Sequence, residues 1–326
     1  MGWIASFLES REQYIDHQIS SGRQKFESAH IDVTVGIPQG SVLGPLLFIL
    51  YVNDLVDVAP DIHFTLYADD TSIVLSNKSL ESLQVSCNSH LEHLHGWFSE
   101  NDLYVNASKT QALLFQSRQR PLQAVPDLHI DGNSILFSDT AKFLGVCVDR
   151  FLSWKPHCQA ICAKLNSISY QFRVLRPVLT TQQLLNLYYA QVGSRISYGV
   201  CFWGGSPMAT DILLCQKRVL RNIKNVPSTY SCRNLFKAYN ILTITSVFIF
   251  EMCVYVFLNK GKFKQNFMIH NFNTRRKLDF YVPHCNLNVT KNSPNILGLK
   301  LCNYLPVNLK NINSLSGFKK KDLKKI

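Results

Sequence analysis

The sequence predicts an α+β protein whose first half is rich in short strands and whose remainder is helical. Three observations carry that reading. Short β-prone runs bounded by turn residues recur up to about residue 150, a helical pattern then runs from Trp154 to about Asn225, and the 326-residue chain has globular proportions, 46% hydrophobic and 17% charged. A disordered chain would be poorer in apolar side chains and richer in charge. The expected organisation is a mixed region over 1–150, a helical region over 151–226, and a helical then loop-rich basic region over 227–326.

Trp3, Ile4, Phe7 and Leu8 fall at helical spacing, so Gly2 to Ser10 reads as a helix that starts without a cap, as a continuation of something longer would. Strand-like Ile31 to Val35 meets the turn cluster Gly36-Ile37-Pro38-Gln39-Gly40. Ser41 is then placed to cap a helix through the apolar run Leu43 to Leu55, with Pro45 tolerated in its first turn. Ile62 to Leu66 and Thr71 to Leu75 are β-prone and flank Tyr67-Ala68-Asp69-Asp70, which makes a hairpin with two carboxylates at its tip. A helix over about Leu80 to Glu100 leads through Leu103-Tyr104-Val105 and Lys109 to a strand at Ala112 to Phe115, with further strands near Leu128 to Ile130 and Phe143 to Val148. The helical region is broken at Gly199 and at Gly204-Gly205-Ser206-Pro207, and an apolar helix around Phe248 precedes an Asn-rich stretch that ends in the lysines of 319–325.

Lys and Arg number 34 against 22 Asp and Glu, a formal net charge of +12, which excludes an acidic, self-repelling chain and favours a polyanionic partner, nucleic acid first. The ten cysteines are scattered, mostly inside apolar stretches, and read as reduced core residues. No basic segment followed by an apolar run and a small-residue cleavage site opens the chain, so an intracellular location, nuclear or cytoplasmic, is expected. Ile241 to Leu258 is just long enough to span a bilayer, yet it carries Glu251 near its middle and Thr243, Thr245 and Ser246 beside its start. That is costly in lipid and ordinary in a buried helix, so no membrane partner is expected.

Two adjacent aspartates at the tip of an otherwise apolar hairpin repel each other and lose hydration, a cost that a divalent cation removes. Hard oxygen ligands suit Mg²⁺, and two such ions a few Å apart can activate an attacking hydroxyl and stabilise the leaving oxygen in phosphoryl transfer. Taken alone, Asp-Asp in a turn is an ordinary solvated feature; the flanking residues decide.

Phe64-Thr65-Leu66-Tyr67-Ala68-Asp69-Asp70-Thr71, preceded by Gly36-Ile37-Pro38-Gln39-Gly40-Ser41-Val42-Leu43-Gly44-Pro45-Leu46-Leu47-Phe48, resembles the reverse transcriptase of non-LTR (LINE-type, jockey-like) retrotransposons. The resemblance continues in order through Trp97, Asn101, Leu103, Asn106, Lys109-Thr110 and Lys142-Phe143-Leu144-Gly145-Val146. Downstream, Tyr198-Gly199, Trp203-Gly204, Gln216-Lys217-Arg218, Leu235-Phe236 and Asn303-Tyr304-Leu305-Pro306 extend it over essentially the whole chain.

The resemblance implies a partial right-hand polymerase palm, an antiparallel sheet with packed helices, over 1–150, then a helical thumb and a C-terminal region. It implies an RNA-directed DNA polymerase, a nucleotidyltransferase in which a primer 3′-hydroxyl attacks the α-phosphate of a dNTP, with an RNA template and a DNA primer as partners. Asp69 and Asp70 would be catalytic and would hold Mg²⁺, two ions where a third carboxylate completes the site. Pro38, Gln39 and Gly40 would touch template and incoming nucleotide, together with Tyr67 and Ala68; Gly40 lets a backbone approach closely, and the helix N-terminus behind it favours phosphate. Lys109 would protonate or stabilise the leaving pyrophosphate, a solvated loop lysine being the plain alternative. Phe143, Leu144 and Gly145 match the primer-grip hairpin, although such residues in a strand are more often core.

The family's pattern places another metal-binding Asp, the aromatic that excludes ribonucleotides, the fingers and an endonuclease upstream of the helix that Gly2 to Leu8 resembles. Asp16 and Asp32 do not occupy a matching position. A site that acts as a unit loses nearly all activity with one ligand, so the expectation is a polymerase fragment inactive on its own, the alternative being a non-catalytic nucleic-acid-binding remnant. His90, His93 and His95, and the helical face of His157-Cys158 and Cys162, are not read as metal sites. Cys285 and Cys302 lack close spacing, so no zinc is expected. The lysines of 319–325 read as a solvated end, with phosphate contact as the alternative.

Overall fold

The structure is a computed structural model that describes residues 2–18, 25–38, 40–117, 119, 126–269, 272, 275–306 and 310; Gln39 and the lysines of 319–325 lie outside the described residues. It mixes helices with small two-stranded sheets and divides into two units, Met1–Thr110 with Pro126–Leu136, and Gln111–Val125 with Phe137–Ile326.

The first unit opens with α1 (Gly2–Leu8), which buries no residue, and two nested antiparallel pairs: β1 (Glu12–Gln13) with β4 (Ile31–Asp32), and β2 (Asp16–Gln18) with β3 (Lys25–Glu27). The strand expected over Ile31 to Val35 stops at Asp32, where its partner β1 ends. The helix expected from Leu43 to Leu55 is α2 (Gly44–Tyr51) followed by a separate 3₁₀ segment, Asn53–Val58. The break at Val52 precedes Asn53 and Asp54, whose side chains compete for backbone hydrogen bonds and weaken a continuing α-helix. Next come β5 (His63–Tyr67), β6 (Asp70–Val74) and α3 (Leu80–Glu100). Ser79 caps α3, its Oγ accepting from the Ser82 N–H at 3.1 Å. Leu94 and Trp97 of α3 bury against Val52 and Leu55, with Phe64, Leu66 and Ile73 packed around them.

After α3 the chain passes through β7 (Gln111–Ala112) of the second unit, much shorter than the strand expected over Ala112 to Phe115, and returns as β8 (His129–Ile130) and β9 (Asn133–Ser134). This hairpin turns through Asp131 and Gly132, at φ 50° and 70°, the Asp-Gly signal of a tight hairpin. It is held to α3 by Asn88, whose Nδ2 donates to the Asp127 carbonyl at 3.0 Å while its Oδ1 accepts from the His129 N–H at 3.1 Å.

The unit boundary falls inside β10 (Leu136–Phe137). The expected strand Phe143 to Val148 is instead an antiparallel hairpin of β11 (Thr140–Phe143) and β12 (Val146–Asp149). Leu144 and Gly145, both at positive φ (45° and 83°), reverse the chain where extended backbone was expected. The buried Asp149 carboxylate then accepts from the Phe151, Ser153 and Trp154 N–H groups, fixing the entry to α4 (Lys155–Leu175).

The helical series continues with α5 (Thr181–Tyr188), a π-helical turn at Tyr189–Gly193, α6 (Ser194–Ser197), α7 (Val200–Trp203), α8 (Ala209–Lys224), α9 (Arg233–Ala238), α10 (Ile244–Leu258), α11 (Asn288–Lys291) and α12 (Pro294–Tyr304). Cys158, Ile161, Leu165, Ile168 and Phe172 line one face of α4 at spacings of three and four and meet Ile212, Val219, Leu220 and Ile223 of α8 in the main core. Gln216 of α8 is buried among them, with three hydrogen bonds: Nε2 donates to Tyr188 Oη (2.7 Å) and to the Leu242 carbonyl (2.8 Å), and Oε1 accepts from the Ile244 N–H (3.1 Å). Gly298 lets α12 approach α10, since a Cβ there would lie 2.8 Å from Val256 Cγ2. Among the described residues no helix is long and apolar enough to cross a membrane.

Candidate functional site

The β5–β6 register pairs His63 with Val74, Thr65 with Ser72 and Tyr67 with Asp70, leaving Ala68 and Asp69 as a two-residue tip. Side chains alternate along strands, so Phe64, Leu66 and Ile73 face the α3 cluster while Thr65, Tyr67, Asp70 and Ser72 share the opposite face. The apolar side therefore anchors the hairpin, and Asp70 lies on its free side next to Asp69 at the tip. Tyr67, Ala68, Asp69 and Asp70 are all exposed, and among the described residues no other side chain pairs with either carboxylate. Ala68 holds φ 51°, a left-handed conformation that costs a non-glycine residue roughly 1–2 kcal/mol.

The second segment is the turn before α2. The Ser41 N–H donates to the Pro38 carbonyl at 3.3 Å and Gly40 sits at φ 81°, a left-handed conformation that glycine adopts without strain. Ser41 Oγ accepts from the Gly44 N–H at 3.0 Å, yet the N-cap position of α2 is taken by Leu43, without a side-chain cap, and not by Ser41 as expected. Arg11 Nη2 donates to the Gly36 carbonyl at 2.7 Å and ties the approach to the end of α1.

Lys109 is exposed on a turn built by Asn106: the Lys109 N–H reaches the Asn106 carbonyl (3.1 Å) and Oδ1 (3.2 Å), and Thr110 Oγ1 donates to the same carbonyl. Asn106 and Lys109-Thr110, separate marks in the sequence, are thus one local device. All three segments belong to the first unit, and among the described residues no hydrogen bond or ion pair joins one to another. Asp69 and Asp70 offer two hard oxygen donors, which suits a cation that completes its shell with water and phosphate oxygens. Among the described residues no group of three or more His, Cys, Asp or Glu is gathered to hold a metal. His90 and His95 meet single carboxylates instead, Asp61 at 3.5 Å and Asp131 at 3.4 Å.

Phe143, Leu144 and Gly145 lie in the second unit, at the β11–β12 tip. Sequence reasoning missed what holds that tip. The Tyr198 hydroxyl donates to the Leu144 carbonyl, and the Tyr198 ring lies so close that a Cβ on Gly145 would sit 3.5 Å from Cε1. Gly199, at φ 61°, leaves room for Val146, whose Cγ2 would be 3.2 Å from a Cβ there. Below the hairpin the Cys147 N–H donates to His157 Nδ1 at 3.2 Å, and burial pushes the His157 pKa below its ordinary value. A neutral ring that accepts at Nδ1 carries its proton on Nε2, and that buried atom has no hydrogen-bond partner. Burial raises the thiols of Cys158 and Cys201 to about 11, and that of Cys162 to about 12 with help from Cys215, so they stay protonated at neutral pH.

Residues 1–148 match the family model described as reverse transcriptase (RNA-dependent DNA polymerase). The RNA-directed DNA polymerase from mobile element jockey of Drosophila melanogaster is 25% identical over 237 residues, 69% of this chain and 25% of that protein. The Pol polyprotein from the type-1 retrotransposable element R1 of Bradysia coprophila is 32% identical over 260 residues, 72% of this chain and 25% of that protein. The probable RNA-directed DNA polymerase from transposon BS of Drosophila melanogaster is 26% identical over 257 residues, covering 74% and 27%. The chain thus spans about a quarter of the length of these relatives. No solved structure matches it significantly. Residues 1–148 belong to the reverse transcriptase family, and the chain is a homologue of the RNA-directed DNA polymerases of non-LTR retrotransposons.

Proposed function

We propose that the chain supplies the metal-binding hairpin and the nucleic-acid-holding helices of an RNA-directed DNA polymerase that extends a DNA primer on an RNA template. The observation that carries this is the Asp69-Asp70 tip: two exposed carboxylates without side-chain partners, on a hairpin whose other face is anchored to α3, within the segment that matches the reverse transcriptase family. Asp69 and Asp70 would hold Mg²⁺, which when bound stabilises charge on phosphate oxygens and, as a pair of ions, supports nucleotidyl transfer. The turn at Pro38 and Gly40 offers backbone that a nucleotide can approach without a Cβ in the way. Lys109, presented on its Asn106-built turn, would protonate or stabilise the leaving pyrophosphate. Phe143, Leu144 and Gly145, braced by Tyr198, would bear on the primer strand as a grip, with the 151–226 helices acting as a thumb.

A second reading, nucleic-acid binding without catalysis, is favoured by the distribution of charge. Residues 1–150 hold 18 Asp and Glu against 9 Lys and Arg, whereas residues 151–326 hold 4 against 25. Arg176, Arg218 and Arg221 donate to amide or carbonyl oxygens rather than to carboxylates, so their charge stays available to phosphates. Primer extension on an RNA template, run beside filter binding of an RNA–DNA hybrid across a salt series, tests both readings. Extension that is lost in Asp69→Ala/Asp70→Ala with binding intact supports the first. Salt-sensitive binding without extension supports the second, and absent or salt-independent binding overturns both.

A further inference from the structure

The second unit contains a cavity of about 450 Å³ beside the β11–β12 tip, lined by Gly145, His157, Ile161, Ser194, Arg195 and Tyr198 among others. Its chemistry is one-sided. No carboxylate lines it, and Arg195, half-buried, donates Nη1 to the Gln191 carbonyl without an acidic partner among the described residues. A partly desolvated guanidinium with no counter-charge in a concave site attracts an anion. His157 adds a second donor: it is 7% exposed, its Nδ1 is committed to Cys147, and Nε2 has no acceptor. The Tyr198 hydroxyl is spent on Leu144, so the donors left for a ligand are the remaining Arg195 N–H groups and the imidazole N–H. Arg195 also lies two residues beyond the π-helical turn Tyr189–Gly193, and inserted turns of this kind recur at functional sites.

A planar fork and an N–H donor without an acceptor in one lining suit a tetrahedral oxyanion, two of whose oxygens match the guanidinium. We propose that this cavity is a phosphate-binding site formed by Arg195 and His157, separate from the Asp69-Asp70 hairpin. The phosphate is either an internucleotide diester or a free or terminal monoester. The site does not depend on polymerase activity, because an anion would bind there whether or not the chain extends a primer.

The test uses the full chain with histidine ¹⁵N-labelled. Inorganic phosphate and, in parallel, the dinucleoside monophosphate TpT are titrated at ionic strength matched with NaCl. Binding is read from the imidazole ¹⁵N resonances and from the melting temperature. At least one probe is expected to shift the His157 signal and raise the melting temperature, and which one does so identifies the source of the phosphate. Arg195→Gln should weaken that binding about tenfold or more. Arg195→Lys, which keeps the charge and loses the fork, should fall between the two and serves as the folded control should the glutamine variant not fold. Arg173→Gln, on an exposed arginine of α4, should bind as the wild type does. Failure of both probes to move His157, or equal weakening by the Arg173 and Arg195 variants, would overturn the proposal.

Discussion

Replacing Gln216 by methionine keeps its length and roughly its volume while removing every polar atom from a site that is 1% exposed. Three groups then lose their partner: the Tyr188 hydroxyl, the Leu242 carbonyl and the Ile244 N–H, the last being a first-turn donor of α10 with no partner inside its own helix. A buried polar group left unpaired costs roughly 1–3 kcal/mol. The Tyr188 hydroxyl is the cheapest of the three, because it loses only an incoming donor. Summed at the low end and offset by the more favourable burial of a thioether, the loss is about 2–3 kcal/mol, a large share of the roughly 5–15 kcal/mol that a domain has. Urea denaturation followed by helical circular dichroism should show a lower midpoint with an unchanged slope. Tyr188→Phe removes one bond of the three and should cost about 1 kcal/mol, and the double variant should cost less than the sum because the two residues share that bond. A loss below about 1 kcal/mol for Gln216→Met, or full additivity with Tyr188→Phe, would refute the network as an energetic unit.

Gly204→Ala would place a Cβ 2.5 Å from Phe248 Cδ2 and 2.7 Å from the Val200 carbonyl; the overpacking should cost at least about 2 kcal/mol, measured as a fall in thermal stability. Asp69→Asn/Asp70→Asn should change stability by no more than about 0.5 kcal/mol, since both side chains are exposed, yet abolish Mn²⁺ binding followed by electron paramagnetic resonance; retained Mn²⁺ binding would place the metal elsewhere. Burial favours the neutral form of His157 in the folded state, so the unfolded chain binds the extra proton first. The stability set by this group is therefore complete above the ordinary histidine pKa of about 6.5 and is lost as pH falls towards the lower folded value, and a midpoint that rises on acidification from 6.5 would contradict it. Cys158, Cys162 and Cys201 should escape maleimide labelling of the native chain at neutral pH and react only in denaturant, as read by mass spectrometry.

Features written locally were legible in the sequence. The helix read over about Leu80 to Glu100 is α3, and the tip at Ala68 and Asp69 follows from two β-prone runs separated by a turn. Strand lengths were not legible, because pairing depends on distant partners: Ile31 to Val35 is extended only as far as β1 can pair with it. Leu144 has an ordinary strand side chain, so residue type alone reads through the turn that the family resemblance marks, and the Tyr198 hydroxyl that holds its carbonyl comes from 54 residues away. Gln216, beside Lys217 and Arg218, has the composition of a surface motif, and its burial follows from partners on α5 and at the start of α10. In the candidate site, Asp69, Asp70 and Gly40 announce themselves by residue type, whereas the Asn106 scaffold under Lys109 shows only once hydrogen bonds are traced.

The Asn88 amide has a consequence for how β8 meets solvent. A residue in a parallel neighbouring strand would bond the carbonyl before and the N–H after the residue it faces. Asn88 does this with one side chain, taking the Asp127 carbonyl and the His129 N–H on either side of Leu128. The helix thus counterfeits one peptide unit of a missing strand, and a margin that could recruit a foreign chain is already occupied from within.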